Sequence, residues 1–126
     1  MSEERIRLVI PGRPVPKQRP RLGIRGRSAY VYTPAETVAY EQMVRAVAMT
    51  VCRAPYAGPV ELRLTVYFRK GRTPDLTNVV KAIEDGLTGV AYIDDAQVKR
   101  VVAEMDNDEF ERAEVEVAPF EEAQTA

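Results

Sequence analysis

The chain has 126 residues, of which 45% are hydrophobic and 29% charged, and its formal net charge is -1; this predicts one domain, residues 1–126, large enough to bury its own core. It contains no histidine and one cysteine, Cys52, which excludes Ser-His-Asp and Cys-His catalysis, histidine-ligated zinc or iron, and any internal disulfide. No apolar run approaches the roughly 20 residues that cross a bilayer, and Met1-Ser2-Glu3-Glu4 has no signal-peptide character, so a soluble, cytoplasmic protein with no membrane partner is expected.

In chain order, Ile6, Leu8 and Ile10 alternate and predict a first strand, ended by Pro11-Gly12. Residues 13–28 hold three prolines, two glycines and six basic residues, with no hydrophobic period, and read as a long basic loop. Tyr30-Val31-Tyr32 can add a short strand. Thr33-Pro34-Ala35-Glu36 has the form of a capping box with proline in the first turn, predicting a helix to about Cys52 with Val38, Met43, Val47 and Val51 as its buried stripe. Pro59 to Phe68 alternates as a strand with one covered face. Lys70 to Pro74 is a basic turn, followed by a second helix over about Thr77–Thr88. Gln97–Met105 and Glu111–Ala118 read as two further strands, and residues 121–126 as a frayed tail. The order β-α-β-α-β-β predicts an α+β, two-layer sandwich: one mixed, mostly antiparallel sheet under two main helices.

The charge distribution is asymmetric. Between Glu4 and Glu36 there is no acid, whereas Arg5, Arg7, Arg13, Lys17, Arg19, Arg21, Arg25 and Arg27 fall in that interval. Such an arm suits a polyanion, or serves as a solubilising loop. Tyr30, Tyr32 and Phe68 can stack on unpaired bases, although core packing is the expected role of each.

The second helix carries the candidate chemistry. At about 100° per residue, Asn78, Lys81 and Asp85 share one face and Val79, Val80, Ile83 and Leu87 the other. Asp75 stands at the helix mouth, and Asp94-Asp95 follow its far end. Gathered carboxylates repel unless a cation sits between them, and an oxygen-only donor set suits magnesium or manganese. Taken singly, the same residues also fit a helix cap at Asp75, a Lys81–Asp85 helical ion pair and an Asp94-Asp95 turn.

Together, these stretches resemble the RusA family of Holliday junction resolvases of the phage and prophage type, with its D-x-D-N-x-x-K, D-A-L-N-G and D-D-x-Q motifs. They stand here as Asp75-Leu76-Thr77-Asn78-Val79-Val80-Lys81, Asp85-Gly86-Leu87-Thr88-Gly89 and Asp94-Asp95-Ala96-Gln97-Val98. Residues 11–21 are similar to the family's P-V-P-K-x-R-P-R opening, and Tyr32-Thr33-Pro34 and Tyr40-Glu41 to its Y-T-P and Y-E positions. The resemblance implies a homodimeric, magnesium-dependent endonuclease that makes paired nicks in four-way DNA during recombination and repair, with manganese able to substitute. It gives Asp75, Asp94 and Asp95 a metal-binding, catalytic role and Lys81 a phosphate-facing catalytic one, with Thr77, Asn78 and Asp85 supporting. DNA contact falls to Arg13, Lys17, Arg19, Arg21, Arg25 and Arg27. Thr77 departs from the motif by replacing its second aspartate, so the alternative is a catalytically impaired junction-binding protein. Thr77 also suits a helix N-cap, and Gly86 can mark an early helix end.

Overall fold

The computed structural model describes residues 5–121. Strands β1 (Ile6–Pro11), β4 (Val60–Phe68), β5 (Val98–Asn107) and β6 (Arg112–Pro119) form one sheet in the order β1-β6-β4-β5. The β1–β6 and β6–β4 pairs are antiparallel, and β4–β5 is parallel. The parallel pair needs a crossover, and helix α2 (Leu76–Leu87) supplies it. Helix α1 (Ala35–Val51) packs beside α2 and over β1. The α+β expectation of two helices on a mixed sheet is therefore met. Among the described residues no helix is long and apolar enough to cross a membrane.

The core is built by alternation. Val60, Leu62, Leu64, Val66 and Phe68 of β4 are buried, as are Leu8, Ile10, Val115 and Val117 on neighbouring strands. The opposite sheet face is charged: Glu61 pairs with Arg63 and Arg100, and Glu116 with Arg5 and Arg7. On α2, the apolar face predicted from periodicity is buried at Val79, Ile83 and Leu87, with Val80 partly covered.

Five local expectations are corrected. The segment 13–28 is not loop throughout: Arg21–Arg25 (β2) and Ser28–Tyr32 (β3) pair as a separate antiparallel hairpin, so three strands precede α1. Gly26 at φ +61° turns the chain there, a conformation glycine adopts without a Cβ penalty. The Thr33 capping box does not form: Pro34 occupies the N-cap of α1 and no side chain caps it. The buried stripe of α1 is Thr37, Tyr40, Val44 and Ala48, while Val38, Met43 and Val51 are exposed and Val47 only packs at the margin. That helix is apolar on most sides, so periodicity alone could not choose its inner face. The choice is made by small residues that let it approach and by Thr37, whose hydroxyl donates to the Pro16 carbonyl. Finally, Gly86 is the last residue but one of α2, which runs past it to Leu87. It is where α1 crosses, and a Cβ there would stand 2.7 Å from Val44 Cβ and 2.9 Å from the Glu41 carbonyl oxygen. Phe68 is core as expected, but Tyr30 and Tyr32 are exposed on the hairpin. Residue 121 follows β6 outside any regular element, and the rest of the expected tail, 122–126, lies outside the described residues.

Candidate active site

The candidate residues lie along α2, from Asp75 at its N-terminus to Asp85 near its C-terminus, and on the turn before β5. Asp75 is the N-cap of that helix, and its Oδ1 accepts from the Thr77 backbone N–H at 3.1 Å and the Thr77 hydroxyl at 2.9 Å. Asp75, not Thr77, is thus the cap. This closed turn satisfies one of the orphan donors at a helix start and places a carboxylate at the positive helix end.

One turn further in, Lys81 Nζ lies 3.5 Å from Asp85 Oδ1 and 3.8 Å from Asp95 Oδ2. Asp85 is shared: its Oδ2 is 3.0 Å from Lys17 Nζ, which also meets Glu41 Oε2 at 2.7 Å. An alternating chain of charges, Glu41–Lys17–Asp85–Lys81–Asp95, therefore runs from α1 through the basic arm and α2 to the turn before β5. The close Glu41 carboxylate, more than Asp85, raises the Lys17 ammonium above its usual range against the opposing effect of burial. Lys81 remains about half exposed, so its ammonium can meet a ligand from solvent.

Asp94 and Asp95 are set by a single 3₁₀ turn, Asp95–Gln97. Asp94 Oδ1 accepts from the Ala96 N–H at 3.0 Å, and Gln97 Oε1 accepts from the Asp94 and Ile93 N–H groups at 2.9 and 2.8 Å. Gln97 Nε2 then donates to the carbonyls of Tyr56 and Gly58, both at 2.8 Å. The Ala96 N–H, and then Asp95, hold the Asp94 carboxyl below its usual range, so it is ionised at neutral pH. Both aspartates are exposed.

The basic arm contributes to the same place. Its Lys17 N–H donates to the Asn78 carbonyl at 2.8 Å, and Gln18 N–H to Thr37 Oγ1 at 3.2 Å. A cleft of about 520 Å³ results, lined by residues 16–21 of the arm and by Pro74, Asp75 and Asn78. Arg19 and Arg21 thus share a cleft with Asp75, while Arg25 and Arg27 lie further out on the hairpin. Arg13 is placed differently: it pairs with Glu111 at 2.6 Å, donates to the Arg72 carbonyl and lies 4.9 Å over the Phe68 ring. It pins the start of the arm. A larger cleft, about 640 Å³, opens between α1 and the sheet around Leu8, Val51 and Val115, but Asp75, Asp94 and Asp95 do not line it.

The donor chemistry fits a hard divalent cation. Among the described residues no three acidic or thiol side chains converge as a complete cage. Magnesium, however, keeps several waters and uses one or two carboxylates plus substrate phosphate, a demand that the adjacent, exposed Asp94 and Asp95 meet. Three supporting residues carry little signal in the sequence. Glu41 stands only in the Y-E position and Gln97 only at the end of D-D-x-Q. Arg45, which donates to the Asp85 and Thr88 carbonyls at 3.1 Å and closes the C-terminal end of α2, had no local signal.

Comparison with known protein families finds one match. The family model for Endodeoxyribonuclease RusA matches residues 11–118, a span containing the arm, both helices, β4, β5 and nearly all of β6. A search of the curated proteins finds no match to the chain. With a family match over most of its length, this chain belongs to the RusA endodeoxyribonuclease family.

Proposed function

We propose that the protein resolves four-way DNA junctions by paired, magnesium-dependent phosphodiester hydrolysis, acting in the cytoplasm as a homodimer during recombination and repair. The observation that carries this reading is Lys81, held between Asp85 and Asp95 beside a basic arm and an exposed pair of aspartates. Asp94 and Asp95, with Asp75 at the helix mouth, are the residues that would hold the cation, and manganese suits the same oxygen donors. A divalent ion bound there supplies charge neutralisation at the phosphoryl group and an activated water.

The chain's own residues do the positioning. Lys81 offers its ammonium to a non-bridging phosphate oxygen, where fixed positive charge offsets the charge that develops during displacement. Asp85 keeps that ammonium from folding back, and Lys17 keeps Asp85 in place. Arg19 and Arg21 bind backbone phosphates at the cleft, which selects for strand geometry over base identity. A two-fold dimer matches a two-fold junction and presents two such sites.

The Thr77 hydrogen bonds to Asp75 Oδ1 support a second reading, in which the protein binds junctions without cutting them. With Thr77 in the motif's second acid position, Asp75 is drawn into its own helix turn. A labelled four-way junction incubated with wild type, Asp95→Asn, Lys81→Met and Thr77→Asp separates the two. The nuclease reading expects metal-dependent nicks by wild type, lost in the first two variants while binding persists. Tight binding with no nicks, and cutting gained by Thr77→Asp, would replace it with the impaired-binder reading.

A further inference from the structure

The hairpin β2–β3 has two faces of opposite chemistry. Its register pairs Arg21 with Tyr32, Leu22 with Val31, Gly23 with Tyr30, Ile24 with Ala29 and Arg25 with Ser28. Paired residues share a face and neighbours along a strand alternate. One face therefore collects Leu22, Ile24, Ala29 and Val31. The other collects Arg21, Gly23, Arg25, Ser28, Tyr30 and Tyr32.

The second face is arranged in detail. The Tyr30 and Tyr32 rings lie 5.7 Å apart at 38°. The Arg25 guanidinium lies 5.7 Å from the centre of the Tyr30 ring. Gly23 makes room for that ring, since a Cβ there would stand 2.5 Å from Tyr30 Cζ; Tyr30 can consequently lie across the β2 backbone. Tyr30 is 43% exposed and Tyr32 40%, so neither is spent on the core. No acid occurs between Glu4 and Glu36, and Arg27 extends the positive charge to the tip.

We propose that this face is a stacking platform for unpaired nucleobases. Tyr30 and Tyr32 receive the flat faces of the bases, and Arg21, Arg25 and Arg27 neutralise the flanking phosphates. The inference deepens the proposed junction activity and rests on it for its natural substrate: a crossover is where bases lose stacking partners. Interleaved aromatic rings and arginines are what such a strand needs, because every base has a π-face and every linkage a charge. A platform serving phosphates alone would have no use for two exposed rings or for a glycine that clears space beneath one of them.

The test uses the full chain in EDTA, so that nothing is cut. One probe is a single-stranded oligothymidylate; the other is a four-way junction carrying 2-aminopurine at the crossover. The variants are Tyr30→Val/Tyr32→Val, which keeps strand-forming side chains, and Tyr30→Phe/Tyr32→Phe, which keeps the rings. Expected results are a 2-aminopurine signal with wild type and the phenylalanine variant and its loss in the valine variant. The valine variant should also bind oligothymidylate roughly 5- to 150-fold more weakly for each stacked base lost, with no change in salt dependence because no charge is removed. The platform is overturned if the valine variant retains both oligothymidylate affinity and signal, if wild type gives no signal on binding the junction, or if the valine variant loses only self-association in sedimentation. Tyrosine-dependent oligothymidylate binding without junction binding would keep the platform and remove the junction reading instead.

Discussion

Gly86→Ala sets two opposed effects against each other. In an exposed helix interior, alanine is preferred over glycine by about 1 kcal/mol. Here the added methyl would meet Val44 Cβ at 2.7 Å, Val44 Cγ1 at 2.8 Å and the Glu41 carbonyl oxygen at 2.9 Å. None of these is the free end of a flexible chain, so α1 must move away by several tenths of an ångström. Overpacking of this kind costs about 1–3 kcal/mol, and the movement also drags Glu41 from Lys17. Three contacts below 3.0 Å put the cost in the upper part of that range, about 2–3 kcal/mol, so after the alanine gain the net expectation is destabilisation by about 1–2 kcal/mol, a fall in Tm of roughly 3–10 °C for a domain of this size. Thermal and urea unfolding at fixed protein concentration would measure it. Gly58→Ala is the control: its Cβ meets nothing within 4 Å, and it should be neutral or slightly stabilising. A Gly86→Ala protein as stable as wild type would refute the claim that this glycine exists for the helix crossing.

Other outcomes follow from single groups. Tyr40 Oη is buried with no hydrogen-bond partner among the described residues, so Tyr40→Phe should raise stability by about 1 kcal/mol in urea unfolding. Burial, opposed by the Lys81 charge, raises the Glu84 carboxyl above its ordinary 4.5. The folded state then holds that proton more tightly than the unfolded chain, and stability declines as pH rises through the raised value. Glu84→Gln should accordingly be more stable than wild type at pH 7 and equal to it near pH 4, read from paired denaturant curves. Arg19→Ala and Arg21→Ala should each lower the slope of log K against log salt for junction binding by about 0.9. Lys17→Met should leave the slope unchanged, because Glu41 and Asp85 already neutralise that charge.

Much of this protein is written in local pattern. The alternation of β4 and the period of α2 announce their buried faces directly, since every second or every third-to-fourth residue meets the same neighbours. Asp75 and Asp94 are legible as turn residues for a similar reason: each carboxylate accepts from the backbone N–H two residues on. Thr33-Pro34-Ala35-Glu36 misled because a capping box is a local competition, and Pro34 took the cap without a side-chain bond. Gly86 misled because its meaning lies 42 residues away, at Val44. Lys17 reads as one cation among many until the fold places Glu41 and Asp85 on either side of it. Strand β2 is hard to read in 13–28 because Leu22 and Ile24 bury nothing in the domain core, and two alternating apolar residues among six basic ones are too few to mark a strand.

In the proposed function, the acids around α2 and the 3₁₀ turn serve metal-assisted cutting of branched DNA. The most direct measurement is strand cleavage of a four-way junction by wild type, beside a duplex of the same sequence, in magnesium, in manganese and in EDTA. The expected result is paired nicks at symmetric positions in the junction with either metal, none in EDTA, and little cutting of the duplex. Nicks that persist in EDTA, or duplex cut as readily as the junction, would contradict it.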